Sequence, residues 1–73
     1  MTAVEHALTL IRAGLPYVRT QSQLKAWAET LYFNSERARA AYPMKRNTRP
    51  WKRFADDVMT AVRGSDLADK FTD

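Results

Sequence analysis

The sequence predicts an all-α fold, a small single-core bundle of four or five short helices. Three observations predict it. Apolar residues recur three and four apart, and no segment sustains the period-two alternation of a half-buried strand. Capping residues precede these runs, and glycine or proline follows them. The chain has 73 residues and no cysteine, so a single domain over 1–73 is expected to build one core without disulfide or cysteine–zinc support. Hydrophobic residues make up 45%, eight residues are aromatic and only two are glycine, which favours a packed core over a disordered chain.

The first helix is expected over residues 3–13. Thr2 and Glu5 have the spacing of a capping box, in which each side chain accepts from an amide at the helix start. Val4, Ala7, Leu8, Ile11 and Leu15 fall on one apolar stripe. Gly14 can take the left-handed conformation that ends a helix. Leu15 is expected to supply the apolar contact behind it, and Pro16 prevents continuation. The second helix begins near Thr20–Ser22, with Thr20 and Gln23 as another capping pair. Leu24, Trp27, Ala28 and Leu31 make its apolar face.

Phe33 lies almost opposite Leu24 at the helical period, so either the helix ends before it or the ring is exposed. Asn34 and Ser35 mark a break, with Ser35 capping a short helix at 36–42. One helix over 22–42 is the alternative, because Ala38 and Tyr42 return to the Leu24 face if the helix runs straight.

Pro43 to Arg49 reads as a connector, since Pro43 and Pro50 disfavour helix at the residues before them. The last long helix starts at Pro50, with Thr48 as its expected cap. Trp51, Phe54, Ala55, Val58, Met59 and Val62 form its stripe, and Gly64 ends it. Ser65 can cap a final short helix carrying Leu67 and Phe71. The expected core holds Leu8, Ile11, Leu24, Trp27, Leu31, Phe54, Val58 and Val62.

Catalytic chemistry finds little to work with. The one histidine, His6, sits beside Glu5 and off the Val4–Leu8 stripe, the place of a solvated surface histidine rather than a general base. Asp56 and Asp57 read as a solvated helix face, not a buried carboxylate pair. No His/Cys/Asp cluster has metal-ligand spacing, and the only glycines, Gly14 and Gly64, both stand at helix ends. The expectation is a non-enzyme with no catalytic residue, metal or cofactor. No run approaches the roughly 18 apolar residues of a membrane span. Glu5 stands where a signal peptide would be basic. These features predict a soluble intracellular protein, and the chain is separately expected to be monomeric when free.

Charge is where the chain departs from an ordinary surface. Arg37, Arg39, Lys45, Arg46, Arg49, Lys52 and Arg53 lie within residues 37–53, which contain no acid. Residues 1–36 are balanced and residues 54–73 carry −3, so this block exceeds the whole net charge of +4. A short basic run is ordinarily a solvated face. Three features point instead to binding. The block has no internal counter-charge. Arg49, Lys52 and Arg53 sit at the positive end of a helix dipole, which prefers anions. Tyr42 and Trp51 are interleaved, and Arg with Tyr or Trp is the composition of interface hot spots. The candidate partner-binding residues are therefore Arg37, Arg39, Tyr42, Lys45, Arg46, Arg49, Lys52 and Arg53. Trp51 lies on the apolar stripe and is assigned to the core. Phe33 is the aromatic expected to be exposed.

The partner is either nucleic acid or an acidic protein face. The helices and connector fit a helix-turn-helix loosely. However, Asp56 and Asp57 would face phosphates if the helix lay deep in a groove, and that helix has no Asn or Gln to read adenine. A protein partner meets no such objection.

The stretch YFNSERARAAYPMKRNTRPWKR, the stop GLP, and the length and basic helical character of the chain resemble the small helical bacteriophage inhibitors of bacterial (Xanthomonas-type) RNA polymerase. The resemblance implies a non-enzymatic regulator in the host bacterial cytoplasm. Such a regulator binds polymerase near the docking site of the sigma factor, and displaces sigma, blocks promoter opening or modifies termination. Other phage inhibitors of similar size, such as anti-CRISPR proteins, share this physical character. A helical DNA- or RNA-binding domain is the runner-up, and a structural subunit of a larger assembly is a third reading.

Overall fold

The computed structural model describes residues 1–72. Two capping boxes start the first two helices where the sequence places them. In α1 (Ala3–Arg12) the Glu5 amide donates to Thr2 Oγ1 at 3.1 Å, and the Thr2 amide donates to Glu5 Oε1 at 2.9 Å. In α2 (Gln21–Asn34) the Gln23 amide donates to Thr20 Oγ1 at 3.1 Å, while Gln23 Oε1 accepts from the Thr20 and Arg19 amides. Each box satisfies amides that the first turn of a helix leaves without partners.

The end of α1 is a Schellman turn. Gly14 has φ +76°, its amide donates to the Ile11 carbonyl, and the Leu15 amide donates to the Leu10 carbonyl. One expectation fails here. Leu15 is 67% exposed and stands outside the core, so the turn is held by backbone bonds and by the glycine's left-handed conformation.

Ser35 divides α2 from α3 (Glu36–Ala41), and no single helix runs over 22–42. Its backbone is extended, at φ −122° and ψ 114°, and its hydroxyl accepts from the Ala38 amide at 3.2 Å. One serine thus stops one helix and caps the next. Arg39 reaches back to donate to the Phe33 carbonyl, which covers one of the free acceptors at the end of α2.

The connector closes on a turn at 45–48. The Thr48 amide and hydroxyl both donate to the Lys45 carbonyl, and Asn47 sits at φ +62°. Asparagine tolerates that conformation better than most side chains. Thr48 is therefore spent on the turn and does not cap the next helix. α4 (Pro50–Arg63) has Arg49 at its N-cap with no side-chain cap, and relies on Pro50 in its first turn. Gly64 follows α4 with φ −89°, which any residue adopts, so the stop does not depend on glycine. Ser65 shapes the exit: its hydroxyl donates to the Val62 carbonyl and accepts from the Leu67 amide. The expected final short helix is a single 3₁₀ turn, Ala68–Lys70, with Leu67 buried and Phe71 half-buried beside it.

α2 and α4 form the main pairing, with α1 against α4 and α3 against α2 and α1. The tail is tied back by Thr72, whose carbonyl accepts from the Gln21 amide at 2.7 Å and whose amide donates to the Arg19 carbonyl at 3.0 Å. The radius of gyration is 11.6 Å, close to the ~11 Å of a well-packed chain of this length.

One core results. Ile11, Leu24, Phe54, Val58 and Val62 are buried in it, whereas Leu8, Trp27 and Leu31 only flank it. The largest fully buried side chain is Tyr32, absent from the expected core. Its ring meets Phe54, and its hydroxyl donates to the Tyr42 carbonyl at 2.6 Å. Of the expected face of α2, Leu24 and Ala28 are buried, and Tyr32 completes the buried line in place of Trp27 and Leu31. Among the described residues no helix is long and apolar enough to cross a membrane.

Candidate partner-binding surface

The eight candidate residues occupy three consecutive supports. Arg37 and Arg39 stand on α3 and Tyr42 follows its last turn. Lys45 and Arg46 lie on the connector turn, and Arg49, Lys52 and Arg53 stand at the start of α4. All seven cations are exposed. Among the described residues none of the seven is within ion-pair distance of a carboxylate. The two ion pairs present use other cations: Arg12 with Asp66 at 2.8 Å, and Lys25 with Asp56 at 3.4 Å.

The partners of Asp56 and Asp57 explain why Lys52 and Arg53 stay unpaired. Spacing along α4 would let Lys52 meet Asp56 and Arg53 meet Asp57. Instead Asp56 turns to Lys25 on α2, and Asp57 accepts from the Tyr42 hydroxyl. The two aspartates are exposed but engaged, rather than a free solvated face. Partial burial pushes the Tyr42 phenol up to about 12, helped by its bond to Asp57 and by that negative charge, with Arg53 acting in the opposite direction.

The structure brings three of the eight together. Tyr42, Lys45 and Arg53 line a hollow of about 280 Å³ between the end of α3, the turn and the start of α4. Ala41, Pro43 and Pro50 supply its apolar wall, and Thr48 completes it. Arg37, Arg39, Arg46, Arg49 and Lys52 lie outside it. Arg39 has a structural use as well, through the Phe33 carbonyl.

An aromatic ledge escapes sequence reasoning. Phe33 is 52% exposed, as expected, but its ring lies 5.6 Å from that of half-buried Trp51. Trp51 therefore flanks the core instead of filling it. The available signal was that Phe33 breaks the α2 stripe. Nothing in the spacing pairs it with a residue 18 positions on, which only the packing of α2 on α4 does. Met44, 57% exposed, adds an adaptable apolar side chain between Tyr42 and the turn.

His6 is half-buried on α1, less solvated than its helical offset predicts. Among the described residues no three His, Cys, Asp or Glu side chains converge as a metal ion would require. No protein-family model, curated protein or solved structure matches this chain.

Proposed function

We propose that this protein is a non-enzymatic regulator that docks its basic surface onto an acidic face of bacterial RNA polymerase and inhibits transcription initiation by displacing sigma. The observation that carries the docking surface is the set of seven exposed cations over 37–53, none ion-paired among the described residues. A surface kept free of internal counter-charge steers and selects a partner of opposite sign. The resemblance of Tyr32–Arg53 to the phage inhibitors supports polymerase as that partner. Interleaved Tyr42 and the Phe33–Trp51 ledge support a protein interface, where aromatic and arginine side chains concentrate binding energy. On this reading the protein acts in the host bacterial cytoplasm.

Capture from bacterial lysate tests the proposal. The tagged protein is expected to retain polymerase subunits after nuclease treatment, and added sigma factor is expected to compete. Capture abolished by nuclease would move the function to nucleic acid binding. Capture of a different complex would keep the docking surface and replace the partner.

A further inference from the structure

We propose that the hollow between α3 and α4 receives one carboxylate side chain, a glutamate or aspartate from an acidic peptide segment of the protein partner. This rests on the reading of the basic surface as a protein-docking face and names the point where that docking is most selective. Lys45 and Arg53 are the charged groups of its wall, both exposed and unpaired among the described residues, and no acid lines it. Ala41, Pro43 and Pro50 offer apolar surface to the methylenes of a guest side chain. The volume of about 280 Å³ is ample for one carboxylate side chain.

The wall is also set in advance. Thr48 Oγ1 donates to the Lys45 carbonyl at 2.6 Å and accepts from the Lys45 amide at 3.2 Å, which holds the backbone that carries Lys45. Pro43 and Pro50 fix their own φ angles, and Pro50 is buried. A preset receptor loses little freedom on binding. Asp57, engaged by Tyr42 at the margin, disfavours a polyanion more than a single carboxylate.

The test is fluorescence anisotropy with the full chain and a labelled glutamate-rich peptide, with a glutamine-matched peptide as control. Ala41→Trp fills the hollow without altering charge. Lys45→Gln with Arg53→Gln removes its cations, and Arg37→Gln with Lys52→Gln removes the same charge elsewhere. The first two variants are expected to weaken the glutamate peptide about tenfold or more. The third is expected to weaken it no more than about threefold.

Equal weakening by the two double variants would overturn the proposal, because charge density alone would then explain binding. So would a folded Ala41→Trp protein that binds normally, or a DNA oligonucleotide that binds more tightly than the peptide. If Ala41→Trp does not fold, the comparison of the double variants decides. Absence of peptide binding overturns the hollow even where polymerase is captured. Hollow-dependent peptide binding without polymerase capture supports the hollow and overturns the choice of polymerase.

Discussion

At the margin of the hollow, the Tyr42 hydroxyl donates to Asp57 while its ring edge packs on Phe54. Burial, that bond and the Asp57 charge raise its ionisation from 10 to about 12. A phenol whose folded value exceeds its unfolded one is held protonated by the fold. Its stabilisation is complete below pH 10 and disappears as pH rises to about 12. A phenolate absorbance titration is expected to show a step near pH 12 that Tyr42→Phe removes. The wild-type protein should also lose more stability than Tyr42→Phe between pH 10 and 12. An unchanged high-pH step in Tyr42→Phe would contradict the assignment.

Tyr32 supplies the second prediction. Removing its hydroxyl leaves the Tyr42 carbonyl without that donor, so Tyr32→Phe is expected to cost about 1 kcal/mol. Tyr32→Ala should cost about 3–5 kcal/mol. Leu31→Ala, at a half-buried position, should cost about 1–2 kcal/mol. Urea midpoints give the order directly, and a Leu31→Ala protein as damaged as Tyr32→Ala would contradict the observed core.

At the scale of elements, the α2–α3 junction does most to shape the candidate surface. Ser35, extended between the two helices, lets the chain turn after Asn34, which brings Tyr42 back to Tyr32 and sets α3 beside α2. Ser35→Ala removes the bond from the Ala38 amide and is expected to cost about 1 kcal/mol. Its signature should be early loss of amide-exchange protection in Ala38–Tyr42, ahead of α4. Uniform protection across all helices in that variant would show that Ser35 does not control the junction. The sequence offered this break, with a continuous helix as the alternative, because Ala38 and Tyr42 suit either. The structure has the break, with Ser35 extended between the two helices and capping the second.

For the whole molecule, the basic surface predicts that binding and stability separate. Arg46, Arg49 and Arg53 are exposed and lack ion-pair partners among the described residues, so reversing all three to glutamate removes no native pairing. It shifts the net charge from +4 to −2. Glutamate at position 49 also meets the positive end of α4, worth about 0.3–1 kcal/mol in favour of folding. The triple variant is expected to melt at or above the wild-type temperature and to lose partner binding. Full binding by that variant would exclude the block as the interface. With a protein partner, single substitutions should be uneven, a few costing about 2 kcal/mol or more and the rest almost nothing. With nucleic acid, losses should be even, and affinity should fall log-linearly with salt at a slope near 0.9 per phosphate contacted.

Local chemistry made the all-α class, both capping boxes, the Gly14 stop, the α4 stripe and the basic block legible, because each is read from residues near one another along the chain. What the chain's order could not convey is which face of each helix meets which neighbour. Leu24, Trp27, Leu31 and Tyr32 all lie close enough on α2 to compete for the core, and the crossing with α4 together with the Tyr42 carbonyl selected Tyr32. The same crossing set the Phe33 ring against that of Trp51 and turned Asp56 to Lys25. Thus the sequence by itself determined that the block is basic. Tertiary packing decided that Lys52 and Arg53 stay unpaired, because Asp56 and Asp57, the acids one turn further along α4, found partners on other elements.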